Sequence, residues 1–151
     1  MASLQQNMQQ SFLAATFYLG STLMGIDSIR VQEIIRVVDI TRVHHASDHI
    51  LGIINLRGKI VTIMDLSKKL DLLISPVTED SRIVIVDWRD EYIGLLVDRI
   101  MEVRPVDRRD LVPPPTNIQD IQGKYLEGVY HGPDHLITVV DVDKVLEEME
   151  K

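Results

Sequence analysis

Cysteine is absent from this 151-residue chain, so disulfides, thiolate nucleophiles and zinc–thiolate sites are excluded. Long hydrophobic runs are absent too. The longest apolar stretches, IGLLV and LITVV, have the length of strands, far short of the roughly 20 residues that cross a bilayer. The first residues, MASLQQNMQQSFLAATF, have no basic patch followed by a continuous apolar segment, which argues against a secretory signal. No Lys/Arg block occurs and the formal charge is −7, which disfavours nucleic acid and anionic membrane as partners. Also missing are a Gly-rich phosphate loop, G-x-S-x-G and H-E-x-x-H. What remains is an ordinary globular composition, 45% apolar and 26% charged, on a chain long enough to bury a core without staples.

From Phe12 onward short apolar runs alternate with turn residues every 8–12 positions, the pattern of an all-β barrel or sandwich. The predicted strands are 14–19, 23–27, 33–38, 51–56, 60–65, 82–88, 92–97, 101–106, 126–130 and 136–140, rich in Val, Ile and Thr. Two helical tails, 65–73 and 141–151, each open with an aspartate suited to an N-cap.

The chain repeats itself. At an offset of 76, GIINLRGKIVTIMDLSKKL (52–70) falls on GVYHGPDHLITVVDVDKVL (128–146), with Gly52/Gly128, Thr62/Thr138 and Asp65/Asp141 among the identities. At an offset of 69, GIDSIRVQEI (25–34) falls on GLLVDRIMEV (94–103), matching Gly25/Gly94, Arg30/Arg99 and Glu33/Glu102. An insertion near the proline-rich loop 110–120 accounts for the changed offset. The expected architecture is mainly β: an N-terminal arm over 1–11, a first subdomain over 12–73, and a second over 74–151 that ends in a helix. Segment 72–81 is the crossover, and strands are open to exchange between the halves.

Within the repeat, IINLRGKIVTIMDL (53–66) reads as a hairpin turning at Arg57-Gly58, with 56 facing 59, 54 facing 61 and 53 facing 62. Ile54, Leu56, Val61 and Ile63 form a core face. Ile53, Asn55, Ile60, Thr62 and Met64 form a mixed one. Arg57 then stands at the tip with Lys59 beside it, whereas the second repeat has Pro133 there. A cationic tip is therefore not needed to close such a hairpin, which leaves two readings of Arg57 open, a recognition residue and a solvated surface arginine. A second cluster, HHASDH (44–49), places His45 and His49 four residues apart with Asp48 between. A metal-dependent enzyme is conceivable there, although only His131 and His135, both in the second hairpin turn, remain to complete a ligand set. Met64, Met101 and Met149 are expected in the core, and Glu147, Glu148 and Glu150 on a solvated helix face.

The ordered series GIINLRGKIVTIMDL, YIGLLVDRIMEV and YLEGVYHGPDHLITVVDVDKVL resembles the CheW family of chemotaxis coupling proteins, from about Phe12 to Glu148. The resemblance implies two SH3-like five-stranded β-barrel subdomains and a non-catalytic adaptor without cofactor or metal. It implies two partners, the regulatory domain of the histidine kinase CheA and the cytoplasmic tip of methyl-accepting chemoreceptors. It also implies a cytoplasmic protein peripheral to receptor arrays at the inner membrane, not inserted in it. Carried over by motif, the partner-binding residues are Arg57, with Gly52, Asn55 and Gly58 in the same element, and Val31, Glu33 and Ile34 of V-x-E-[IV]. HHASDH departs from the family's pattern. An alternative is the CheW-like module of a CheV-type coupler, for whose phosphoacceptor domain 151 residues leave no room.

Overall fold

The computed structural model describes residues 10–43, 47–114 and 123–147. Eleven strands form two sheets. The strands are β1 (Ser11–Leu19), β2 (Thr22–Asp27), β3 (Val31–Arg36), β4 (Ile50–Leu56), β5 (Lys59–Asp65), β6 (Arg82–Trp88), β7 (Glu91–Val97), β8 (Arg99–Asp107), β9 (Leu111–Val112), β10 (Leu126–His131) and β11 (Leu136–Val140). One sheet has the order β8-β1-β2-β11-β10-β9 and the other β3-β6-β7-β5-β4. Two short helices follow the repeated hairpins, α1 (Leu66–Lys69) and α2 (Val142–Glu147). All ten predicted strands are present. The sixth strand of the larger sheet, β9, falls in the segment read as an irregular loop. Its two residues pair with Val129 and Tyr130, too briefly to leave a periodic signal.

The duplication is visible as hydrogen-bond register. β5 runs parallel to β7 with Thr62 opposite Ile93 and Ile63 opposite Gly94. β11 runs parallel to β2 with Thr138 opposite Met24 and Val139 opposite Gly25. These are the positions related by the two sequence offsets, so Thr62 and Thr138 hold equivalent places. β-bulges at Gly52 in β4 and Gly128 in β10 also correspond. At both glycines φ is positive, 151° and 155°, and a side chain would run into the neighbouring backbone, Thr41 in one case and Val112 in the other. Each sheet takes strands from both repeats, and the turn Ser28–Arg30 carries the chain from one sheet to the other.

Strand residues alternate between faces, and here both faces find cover. Ile83 and Ile85 of β6 pack with Ile54, Val61 and Ile63 inside the five-stranded sheet. Val84 and Val86 point the other way, into a central core with Phe17, Met24 and Ile26 of the opposite sheet and Leu66, Val145 and Leu146 of the helices. A third cluster, containing Phe12, Ala14, Leu23, Ile137 and Val139, lies on the far side of the six-stranded sheet. Burial on both faces explains why RIVIVDW and LITVV read as continuous apolar runs. The mixed face of β5 runs from Ile60, 61% exposed near the tip, to Met64, four residues on and fully buried in the central core, where the sequence places that methionine.

The aspartates open their helices as expected. Asp65 Oδ1 accepts from Lys68 N at 3.3 Å and Asp141 Oδ1 from Lys144 N at 3.2 Å. α1 is shorter than predicted: Asp71, at φ 62°, ends the turn that would have continued it. Residues 148–151 of the second predicted helix lie outside the described residues.

Candidate partner-binding surface at the β4–β5 turn

The tip that joins β4 to β5 is a two-residue turn in which both central residues, Arg57 (φ 51°) and Gly58 (φ 83°), have positive φ. Such a turn matches the right-handed twist of the flanking strands. Glycine adopts that conformation freely and arginine does not. Asn55 offsets the cost, because its Oδ1 accepts from Gly58 N at 2.9 Å. The register is the predicted one: Leu56 opposite Lys59, Ile54 opposite Val61, Ile53 opposite Thr62. Lys59 lies over the Tyr92 ring, its Nζ 4.4 Å from the centroid.

Arg57 does not stand alone. Its Nη1 donates to Glu33 Oε1 at 3.1 Å and its Nη2 to Oε2, a two-pronged guanidinium–carboxylate pair. The hydrogen bonds from Arg57 hold the Glu33 carboxyl below its ordinary pKa, and Glu33 in turn raises that of Arg57. Both side chains remain in contact with solvent, Arg57 at 69% exposure and Glu33 at 32%. Glu33 sits on β3, next to a bulge between Val31 and its neighbour. β3 and β4 are the outermost strands of their sheet, so the pair ties opposite edges together across a strongly curled surface. The segment after β3 follows the same path: Thr41 exchanges backbone hydrogen bonds with Ile53 at 2.9 and 2.8 Å.

The motif residues divide accordingly. Arg57, Glu33, Asn55 and Gly58 meet in one exposed unit, whereas Ile34, 41% exposed, follows Glu33 in β3 but lies on the strand's other face. Gly52 stands away from the tip at the bulge, and Val31 packs against the central core. The mutual saturation of Arg57 and Glu33 is not legible in the sequence, since 24 residues separate them. A second ionic hub was likewise hidden. Arg108 donates to Asp27 at 3.1 Å and to Glu127 at 3.4 Å, and lies over the Phe12 ring. Burial pushes the Glu127 carboxyl up, against the pull of Arg108.

Among the described residues no group of three His, Cys, Asp or Glu is placed to hold a metal ion. His44 and His45 lie outside the described residues, and His131 and His135 flank the exposed β10–β11 turn.

The CheW-like domain family matches residues 14–150. The chain belongs to the CheW-like family. It is 32% identical to the chemotaxis protein CheW of Treponema pallidum (strain Nichols), over 93% of this chain and 85% of that protein. It is 29% identical to the chemotaxis protein CheW of Thermotoga maritima, over 93% of this chain and 91% of that one. Its fold is similar to the crystal structure of the scaffolding protein TtCheW from Thermoanaerobacter tengcongensis, with a TM-score of 0.82 and 33% identity, covering 89% of this chain and 87% of the other. CheW-like membership makes the chain a chemotaxis coupling adaptor, with receptors and a kinase as its kind of partners. No helix among the described residues is long and apolar enough to cross a membrane.

Proposed function

We propose that this adaptor works without catalysis, joining the regulatory domain of a CheA-type histidine kinase to the cytoplasmic tip of methyl-accepting chemoreceptors, peripheral to receptor arrays at the inner membrane. The observation that carries the reading is the Arg57–Glu33 pair. The two sequence elements that the CheW resemblance assigns to partner contact converge there as one exposed, rigid unit. A bidentate pair at the surface gives little stability and much geometric definition, which suits recognition. Ile34, on the other face of the same edge strand, adds exposed apolar area for a partner. Arg57, Glu33, Asn55, Gly58 and Ile34 are the proposed contact residues, with Gly52 and Val31 shaping the strands that hold them.

The test is co-sedimentation with receptor-containing membranes, with and without the kinase, together with the kinase's phosphorylation rate. The protein is expected to sediment with the membranes and to raise kinase output. Histidine-dependent nucleotide hydrolysis by the protein alone would overturn the reading.

A further inference from the structure

The turn Ser28–Arg30, which carries the chain from one sheet to the other, is held at both ends. Arg30 donates from Nη1 to Asp143 Oδ1 at 2.9 Å and from Nη2 to the Asp87 carbonyl oxygen at 3.0 Å. At the other end Asp27 divides its carboxylate. Oδ1 accepts from Ile29 N at 3.1 Å and caps the turn, while Oδ2 accepts from Arg108 Nη2 at 3.1 Å. Between these holds Ile29 stands 77% exposed. Leu13, Ser28, Ile29, Pro105 and Arg108 line one concavity there.

Arg108 ties three strands together from its place just after β8. Its guanidinium lies 4.2 Å from the centroid of the Phe12 ring on β1, Asp27 ends β2, and Glu127 on β10 accepts from its Nε at 3.4 Å. The fork is therefore shared between two carboxylates at unequal distances. The charged groups that face Glu127 are Arg108, Asp141 and Asp27. Burial raises its pKa most, Arg108 pulls it down, and Asp141 and Asp27 add to the rise. Glu127 thus takes up its proton above the ordinary glutamate value of 4.5.

We propose that Arg108 is a positioning residue that couples Glu127 to the turn Ser28–Arg30 through Asp27, so that the seating of Ile29 responds to the charge on Glu127. An ionised carboxylate is the stronger acceptor for a guanidinium. Protonating Glu127 therefore removes the acceptor that competes with Asp27 for the fork. Arg108 then pulls harder on Asp27 Oδ2, and the other oxygen of that carboxylate, at Ile29 N, shifts with it. What changes is the shape of the concavity that Ile29 and Arg108 share.

The experiment is an NMR titration of the full chain from neutral pH into the carboxylate range. It follows the carboxyl carbons of Glu127 and Asp27 together with the backbone amide of Ile29. In the wild type the Ile29 amide is expected to move in step with the Glu127 carboxyl. In Glu127→Gln that component should vanish, leaving only movement in step with Asp27. Arg108→Lys separates the bridge from a simple field effect, because it keeps the positive charge and loses the fork. There the Glu127 carboxyl should still titrate while the Ile29 amide no longer follows it. Asp27→Asn keeps a capping oxygen and removes the charge that holds Arg108. It should uncouple Ile29 in the same way, and it decides the matter if Arg108→Lys does not fold. A wild-type Ile29 amide that ignores Glu127 overturns the inference. So does an Ile29 amide that still follows Glu127 in the folded Arg108→Lys or Asp27→Asn protein. These readouts use the protein alone, so neither result touches the adaptor reading.

Discussion

Removing the Arg57 guanidinium takes away two hydrogen bonds to Glu33 but no buried surface, since the arginine side chain is 69% exposed. Exposed ion pairs contribute little to stability, so Arg57→Ala should shift the melting temperature by no more than about 2 °C. Receptor or kinase binding should fall by at least about tenfold, measured on the same preparation. Glu33 gives a pH test. Its folded-state pKa lies below the unfolded value because Arg57 hydrogen-bonds the carboxylate. The contribution of the pair is therefore complete above the ordinary glutamate pKa of 4.5 and is lost as pH falls through the lower, folded value. The stability difference between wild type and Glu33→Gln should be small and constant from pH 6 to 8 by chemical denaturation, and should vanish in strong acid. A difference that grew on acidification would contradict the pair. The sequence disclosed Arg57 as a tip residue through local turn chemistry. It could not disclose Glu33 as its partner, because that contact follows from the curl of a whole sheet.

The β4–β5 hairpin separates two uses of glycine. At Gly58 nothing lies within 4 Å of an added Cβ, so Gly58→Ala pays only the positive-φ cost, about 1–2 kcal/mol. At Gly52 the same methyl meets the Thr41 backbone, so Gly52→Ala should cost more than about 3 kcal/mol by urea denaturation. Equal effects at the two sites would mean that the bulge is not a close approach. Ile54→Ala, in the cluster inside the five-stranded sheet, should cost about 2–5 kcal/mol. Strand positions were legible from the sequence because Val, Ile and Thr runs and turn residues are local signals. β6 and β11 fall where they were read, at 82–88 and 136–140. The burial of Met64 was legible from its residue type, but which elements cover it was not, since the alternation of a single hairpin cannot announce that the second sheet lies over its base. α1 was overestimated because DLSKKLDLL has helical composition, whereas the fold turns the chain at Asp71.

At the scale of the whole molecule, the central core draws on both sheets and both helices, so neither sheet should melt alone. Calorimetry should give one transition, with equal calorimetric and van't Hoff enthalpies. Residues 1–76 expressed alone should be unfolded by far-UV circular dichroism, because β1 and β2 lack their partners β8 and β11. Mixed with residues 77–151, they should regain the strand signal. Two independent transitions, or a folded N-terminal fragment, would contradict the exchange of strands between repeats. The repeat itself was readable as two offsets, but nothing in the sequence showed which repeat each strand would join. The parallel pairing of β2 with β11 carries a consequence for synthesis on the ribosome. β2 emerges early, and the strand beside it is made roughly a hundred residues later. At about 5–20 residues per second, the inner edge of β2 waits roughly 5–20 s for its neighbour. A nascent chain with that edge unpaired for so long is a natural client for a holding chaperone, and the completed protein is not.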